Sequence, residues 1–219
     1  MEELKKPADD QVAQPKLTLE SIKTKSHLEI NVEGNFDATL AKLNEKFGIQ
    51  LKSRPEGFHI TVIGPTESKV LQTMTQEQLD KLQAISDRLK NGQGVHIDGI
   101  GFIDGADTTR TDIREADRTK KTSFLAFSSP DIQEFRKSLG LPEKDLHITL
   151  GFVEPAGGVG GDIHMRIVGV DDKGKPKPGP IEKKTDPALR DLFLAEFPNM
   201  HIKVGGEVGG PEKQKKQEK

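Results

Sequence analysis

Apolar positions along the chain follow two rhythms, a period of two and a period near 3.6, and the switches between them mark out its elements. Leu28 to Val32 (LEINV) alternates apolar and polar residues, as a half-buried strand does. Phe36 to Phe47 places Leu40, Leu43 and Phe47 at helical spacing, with Asn35 as a candidate cap and Gly48 as the stop. Phe58 to Ile63 (FHITVI) returns to strand rhythm and closes at Gly64-Pro65. A second helix is predicted from Gln76 to Lys90, with Thr75 and Gln78 at capping-box spacing and Leu79, Leu82, Ile85 and Leu89 on one face.

The second half repeats the alternation. Val95 to Ile103 predicts a strand whose Gly99 and Gly101 suggest a bulge or close packing, and Thr122 to Phe127 predicts another. Ser129 and Pro130 open a helix that ends near Gly140. Leu146 to Val153 (LHITLGFV) and Asp162 to Val170 follow as strands. Asp171 to Lys184, rich in proline and lysine, predicts a loop. Asp186-Pro187 opens a last helix to about Phe197, and Met200 to Val204 makes a short closing strand. The polar ends predict disordered tails over 1–24 and 205–219 around an ordered domain at 25–204.

Composition narrows the function classes. Lys and Arg total 33 against 35 Asp and Glu, so the global basic field of a protein that coats nucleic acid is missing. Any nucleic-acid contact is expected to be local, at an end or a single nucleotide. Without cysteine, a disulfide framework and a thiolate zinc site are both excluded. No segment has the length and apolarity of a membrane span, and Met1 to Gln14 is too polar for a signal peptide. The expectation is a soluble intracellular, cytoplasmic protein, monomeric and without membrane contact. The polar tails are suited to contacting a protein partner.

A weak internal repeat carries the chemistry. Helix, glycine, short charged loop, then His-Ile-Thr-apolar occurs at FHITVIG (Phe58 to Gly64) and again at LHITLGF (Leu146 to Phe152). Alternate strand side chains share a face, so His59 pairs with Thr61, and His147 with Thr149, away from the apolar positions between them. Imidazole titrates near neutrality, so one ring can accept a proton while the other donates. The threonine hydroxyls suit the non-bridging oxygens of a phosphate. Together the four groups fit in-line displacement at a phosphodiester, and this chemistry calls for no metal and no cofactor. The symmetric motifs leave open which histidine is base and which is acid.

These two motifs resemble those of the two-histidine (2H) phosphoesterase superfamily. It includes RNA 2′,3′-cyclic phosphodiesterases (also called RNA ligase-like), oligoadenylate 2′,5′-phosphodiesterases and ADP-ribose cyclic-phosphate hydrolases. The resemblance implies an α+β, bilobal fold of two pseudo-symmetric lobes, each with an antiparallel sheet flanked by helices, and a cleft between them lined by the motifs. It implies that His59, Thr61, His147 and Thr149 are the catalytic set. It further implies an aromatic platform for the base, a role that falls to Phe102 or Phe152 because the chain has no Trp or Tyr. The expected activity is hydrolysis of cyclic or 2′,5′ phosphodiesters of a nucleotide or RNA end. The rival reading is a nucleotide-binding module that uses the same cleft without turnover.

Other tempting residues have plainer readings. Lys52 and Arg54, just before the first motif strand, are candidate phosphate neighbours. His27, His96, His164 and His201 read as strand or surface histidines. Arg110, Arg114, Arg118, Lys120 and Lys121 are interleaved with Asp107, Asp112, Glu115 and Asp117, so a solvated charged segment is expected. Gly157 to Gly161 lacks the Gly-Lys-Ser/Thr ending of a phosphate loop.

Overall fold

The computed structural model describes residues 18–33, 36–53, 57–153, 162–163, 165–185, 191 and 203–210. It is an α+β structure of small antiparallel sheets and helices. In chain order the elements are α1 (Leu19–Thr24), β1 (Leu28–Glu33), α2 (Asp37–Phe47), β2 (Phe58–Ile63), a 3-10 helix (Pro65–Gln72), α3 (Gln76–Lys90), β3 (His96–Asp104), β4 (Lys121–Ser128), α4 (Pro130–Ser138), β5 (His147–Val153), β6 (Met165–Val170), β7 (Pro176–Pro180) and β8 (Lys203–Gly209).

Two three-stranded sheets hold the two motif strands, each at an edge: the orders are β2-β1-β8 and β3-β4-β5. Within each, a strand, a helix and an antiparallel neighbour follow in sequence, β1-α2-β2 and β4-α4-β5. The glycines after α2 and α4, Gly48 and Gly140, both have positive φ (59° and 73°), which a side chain disfavours. The repeat read from the sequence is thus present in the connectivity. β2 and β5 also lie against each other. The chain just before β2 ties into this junction, because Lys52 and Phe152 exchange both backbone hydrogen bonds, at 2.9 and 3.1 Å. A Cβ on Gly151 would sit 2.7 Å from the Lys52 carbonyl, so this close approach requires glycine.

One apolar cluster takes its members from both sheets and from α2, α3 and α4. Ile30, Ile60 and Val62 meet Leu125, Ile148 and Leu150 there, all essentially buried. Each such aliphatic side chain contributes roughly 1.5–3 kcal/mol on burial. A second, smaller cluster (Ile103, Ile113, Phe124, Ala126, Ile163 and Ile181) covers the opposite face of the second sheet. Phe124 lies over Gly101, where a Cβ would meet its ring at 2.0 Å, so the expected close packing at that glycine is real. The other expected feature, a bulge, falls between Ile97 and Gly99.

Several expectations are corrected at the edges. The segment assigned to a tail up to residue 24 contains α1, capped by Thr18 and Ser21 and anchored by fully buried Ile22. The tail boundary at 205 falls inside β8, which pairs with β1 and buries Val208. Its glycines weaken strand propensity, but a ladder needs only backbone groups. The proline-rich loop at 171–184 contains β7, which among the described residues pairs with β6 alone, an arrangement that tolerates residues lacking an N–H. The strand expected from Asp162 starts at Met165. The helix expected over 186–197 lies outside the described residues save Asp191, as do the Asn35 cap, Gly157 to Gly161, His164 and His201. Among the described residues, no helix is long and apolar enough to cross a membrane.

Candidate active site

Strand register decides which side chains share the motif faces. In the first sheet Asn31 pairs with His59 and Glu29 with Thr61, so these four stand on the face away from the shared core. In the second, Ala126 pairs with His147, Phe124 with Thr149 and, after an irregularity between Ser123 and Phe124, Thr122 with Phe152. The irregularity brings Phe152 onto the face of His147 and Thr149. Phe102 pairs with Ser123, on the opposite face, and packs against the main core. Arg54 lies outside the described residues. The Lys52 side chain is exposed next to the Phe152 contact.

His59 is half-buried, and its Nε2 is 3.4 Å from Glu29 Oε2. The same oxygen is 3.0 Å from Nε2 of His27, whose Nδ1 is 2.9 Å from the Ser26 hydroxyl. An ionised carboxylate only accepts, so Glu29 stands as acceptor and counter-ion to the two imidazoles. His27, read as an isolated histidine from the sequence, therefore adjoins the first motif through Glu29.

His147 is held differently. Its Nδ1 donates to the backbone carbonyl of Asp145 at 2.9 Å, which leaves Nε2 as the acceptor of the neutral ring. The Phe124 ring meets it edge-on, with centroids 6.1 Å apart. Burial first, and then the Lys183 ammonium, pushes the His147 pKa down to about 3, against the opposing pull of Asp162. At neutral pH this imidazole is uncharged.

Thr149 donates its hydroxyl to Asp162 Oδ2 at 2.7 Å. The other oxygen of that carboxylate pairs with Lys183 Nζ at 2.7 Å, and both side chains are buried (1% and 2% exposed). The Thr149 proton is therefore committed to Asp162 rather than to a phosphate oxygen. Thr61, half-buried on the first motif strand, stands on the same face as His59.

A buried arginine sets the two motif strands in relation to each other. Arg136 of α4 donates to the Val62 carbonyl of β2, to the Pro142 carbonyl on the approach to β5, and to both oxygens of Glu67. Burial would raise the Glu67 pKa, but hydrogen bonds from Arg136 and Gly64 and the charge of Lys144 outweigh it and hold the carboxyl at about 2. The charged segment between β3 and β4, expected to be solvated, pairs within itself, Arg110 with Asp112 and both Arg114 and Lys120 with Asp117, and the Asp117 carboxylate is buried. An open cavity of about 690 Å³ flanks the second motif, bordered by Asp145, Lys144 and Lys183 but by neither motif histidine. Among the described residues, no group of three or more His, Asp or Glu is arranged to hold a metal ion.

Sequence reasoning missed Glu29, Asp145, Asp162, Lys183 and Arg136. Glu29 and Asp145 were the more accessible of these, since one occupies the outward position of a half-buried strand and the other lies two residues before a motif histidine. Lys183 sits in a lysine-rich segment with no local sign of burial.

Two adjacent edge strands each carry an imidazole and a hydroxyl on the face away from one shared core, the arrangement expected of a paired two-histidine motif. The comparison with protein families agrees: residues 29–156 match the family described as "Swiss Army Knife, 2H phosphoesterase domain". The chain belongs to this 2H phosphoesterase family. No curated protein and no solved structure matches it significantly.

Proposed function

We propose that the protein hydrolyses cyclic or 2′,5′ phosphodiesters of nucleotides or RNA ends by two-histidine acid-base catalysis, without metal or cofactor. The observation that carries this reading is the contact of β2 and β5, with His59 and His147 both turned away from the core those strands share. His147, neutral with Nε2 as its acceptor, suits the base that takes a proton from the attacking water. His59, as an imidazolium with the Glu29 carboxylate at 3.4 Å as its counter-ion, would be the acid that protonates the leaving ribose oxygen as the P–O bond breaks and would end as the neutral ring. Thr61 is the hydroxyl available to a non-bridging oxygen, and Phe152 an aromatic side chain on the face of the second motif, which Phe124 shares. The substrate is a nucleotide or RNA end rather than a long duplex, in keeping with the absence of a basic excess.

The test is hydrolysis of nucleoside 2′,3′-cyclic monophosphates in excess EDTA, with His59→Ala and His147→Ala alongside. Turnover by the wild type, lowered about 10²- to 10⁴-fold by either substitution, is expected. Wild-type rates in either variant would overturn the reading. Nucleotide affinity without product would favour the non-catalytic binding module instead.

A further inference from the structure

The buried ion pair Asp162–Lys183 is unexplained by either motif, and both residues lie beyond the matched family region at 29–156. Burying two charges is costly, and such a pair is weak evidence for stability. Its connections are more informative. Asp162 accepts from the Thr149 hydroxyl, and the Lys183 backbone N–H donates to Asp145 Oδ2 at 3.0 Å. The Asp145 carbonyl accepts from His147 Nδ1. The Lys183 ammonium also stands 5.1 Å from the centroid of the Phe124 ring that abuts His147. A closed circuit thus runs from Thr149 through Asp162, Lys183 and Asp145 back to His147, two residues from its start.

We propose that Asp162 and Lys183 are positioning residues for the second motif, aiming the Thr149 oxygen as an acceptor and fixing a positive charge beside the His147 imidazole. This rests on the reading of His147 and Thr149 as active-site groups. A hydroxyl whose proton goes to a carboxylate offers its lone pairs outward. Its partner in the reaction is then a donor, the attacking water, rather than a phosphate oxygen. His147 Nε2 and Thr149 Oγ1 together would orient that water, the ring taking its proton. The charged and polar groups facing the imidazole are Lys183, Asp162, Lys144 and the Asp145 carbonyl. Of these, Lys183 opposes protonation most strongly after burial itself.

The experiment is an NMR titration of the His147 ring in the full chain, alongside kcat and KM on a 2′,3′-cyclic nucleotide. Wild type, Lys183→Met, Lys183→Arg and Asp162→Asn are compared. Lys183→Met is expected to raise the His147 inflection by about one pH unit or more, and Lys183→Arg to leave it near the wild-type position. Asp162→Asn is expected to lower kcat about tenfold with KM little changed, because water orientation matters in the transition state. Should Lys183→Met not fold, Lys183→Gln removes the charge while keeping a donor for Asp162. An ion pair that merely stabilises the fold would lower the melting temperature in these variants without moving the His147 inflection, and that result overturns the proposal. The titration needs no turnover, so an inactive wild type would defeat the phosphodiesterase reading while leaving this one testable.

Discussion

His59-Ile60-Thr61 and His147-Ile148-Thr149 are the same tripeptide on two edge strands, yet their surroundings differ. The first faces the carboxylate of Glu29, carried by the neighbouring strand of its own sheet, with His27 on the same carboxylate oxygen. The second is covered by segments from later in the chain, which bring Asp162 onto its threonine, pair Lys183 with that carboxylate and crowd its imidazole. A symmetric pair of motifs has become an asymmetric pair of functional groups, through neighbours rather than through the motifs themselves. Acid-base chemistry at a phosphodiester needs that asymmetry, because one ring must begin with a proton to give and the other without.

The largest effect expected from the difference is in the pH dependence. With His147 as base and its pKa near 3, kcat/KM should show no acid limb between about pH 7 and pH 5. An acid limb at about pH 6.5, the ordinary imidazole value, would erase the distinction between the motifs. Stability carries the same signature. Between about 6.5 and 3 the unfolded chain binds a proton at residue 147 that the folded chain does not, so stability falls as the pH drops through this window. His147→Asn should flatten that dependence in urea titrations, whereas His59→Asn should leave the contribution of residue 147 in place.

The elements that carry the motifs were legible because they depend on local rhythm. Alternation in FHITVI and LHITL placed the histidines and threonines on one face and the isoleucines in the core, and the caps at Thr75 and Gly48 fall where the sequence puts them. The surroundings were illegible because they depend on register and distant segments. Phe102 and Phe152 looked equivalent as aromatic platforms until an irregularity in the β4–β5 pairing assigned them to opposite faces. Lys183 became the buried partner of Asp162 only through a contact across 21 positions. The ends were misjudged for a related reason: β8 is glycine-rich, and its place beside β1 comes from ladder pairing that hydrophobic patterning does not report.

The next effect concerns the link between the motifs. Arg136 is buried (1% exposed) and ties Val62 of the first motif strand to Pro142 before the second, with Glu67 as its counter-ion. Arg136→Met would remove the donor from two carbonyls and leave the Glu67 carboxylate to the Gly64 N–H and Lys144. The expected loss is about 2–4 kcal/mol of unfolding free energy, below the upper range for buried pairs because Glu67 keeps some contact with water. Since the Glu67 carboxyl is held near 2, its contribution is present above about pH 4.5 and is lost as pH falls toward 2. Arg136→Met should therefore be most destabilising at neutral pH and less so in acid, where the loss of its carbonyl hydrogen bonds remains. Equal destabilisation at pH 7 and pH 3 would mean that Arg136 acts through packing and its carbonyl hydrogen bonds rather than through Glu67.

The smallest effect tests the other side of the comparison. Glu29→Gln keeps the shape of the side chain and an acceptor oxygen while removing the charge opposite His59 Nε2. If that carboxylate serves the proton-donating ring, kcat should fall about tenfold in protein that remains folded, with some loss of melting temperature because both side chains are largely buried and Glu29 also pairs with His27. A leaving group that needs no protonation separates this role from a general disturbance of the site. With a 4-nitrophenyl phosphodiester the acid is dispensable, so Glu29→Gln should approach wild-type turnover there, whereas Asp162→Asn, acting on the attacking water, should stay impaired. Equal impairment of both variants on both substrates would mean that the two motifs share one role.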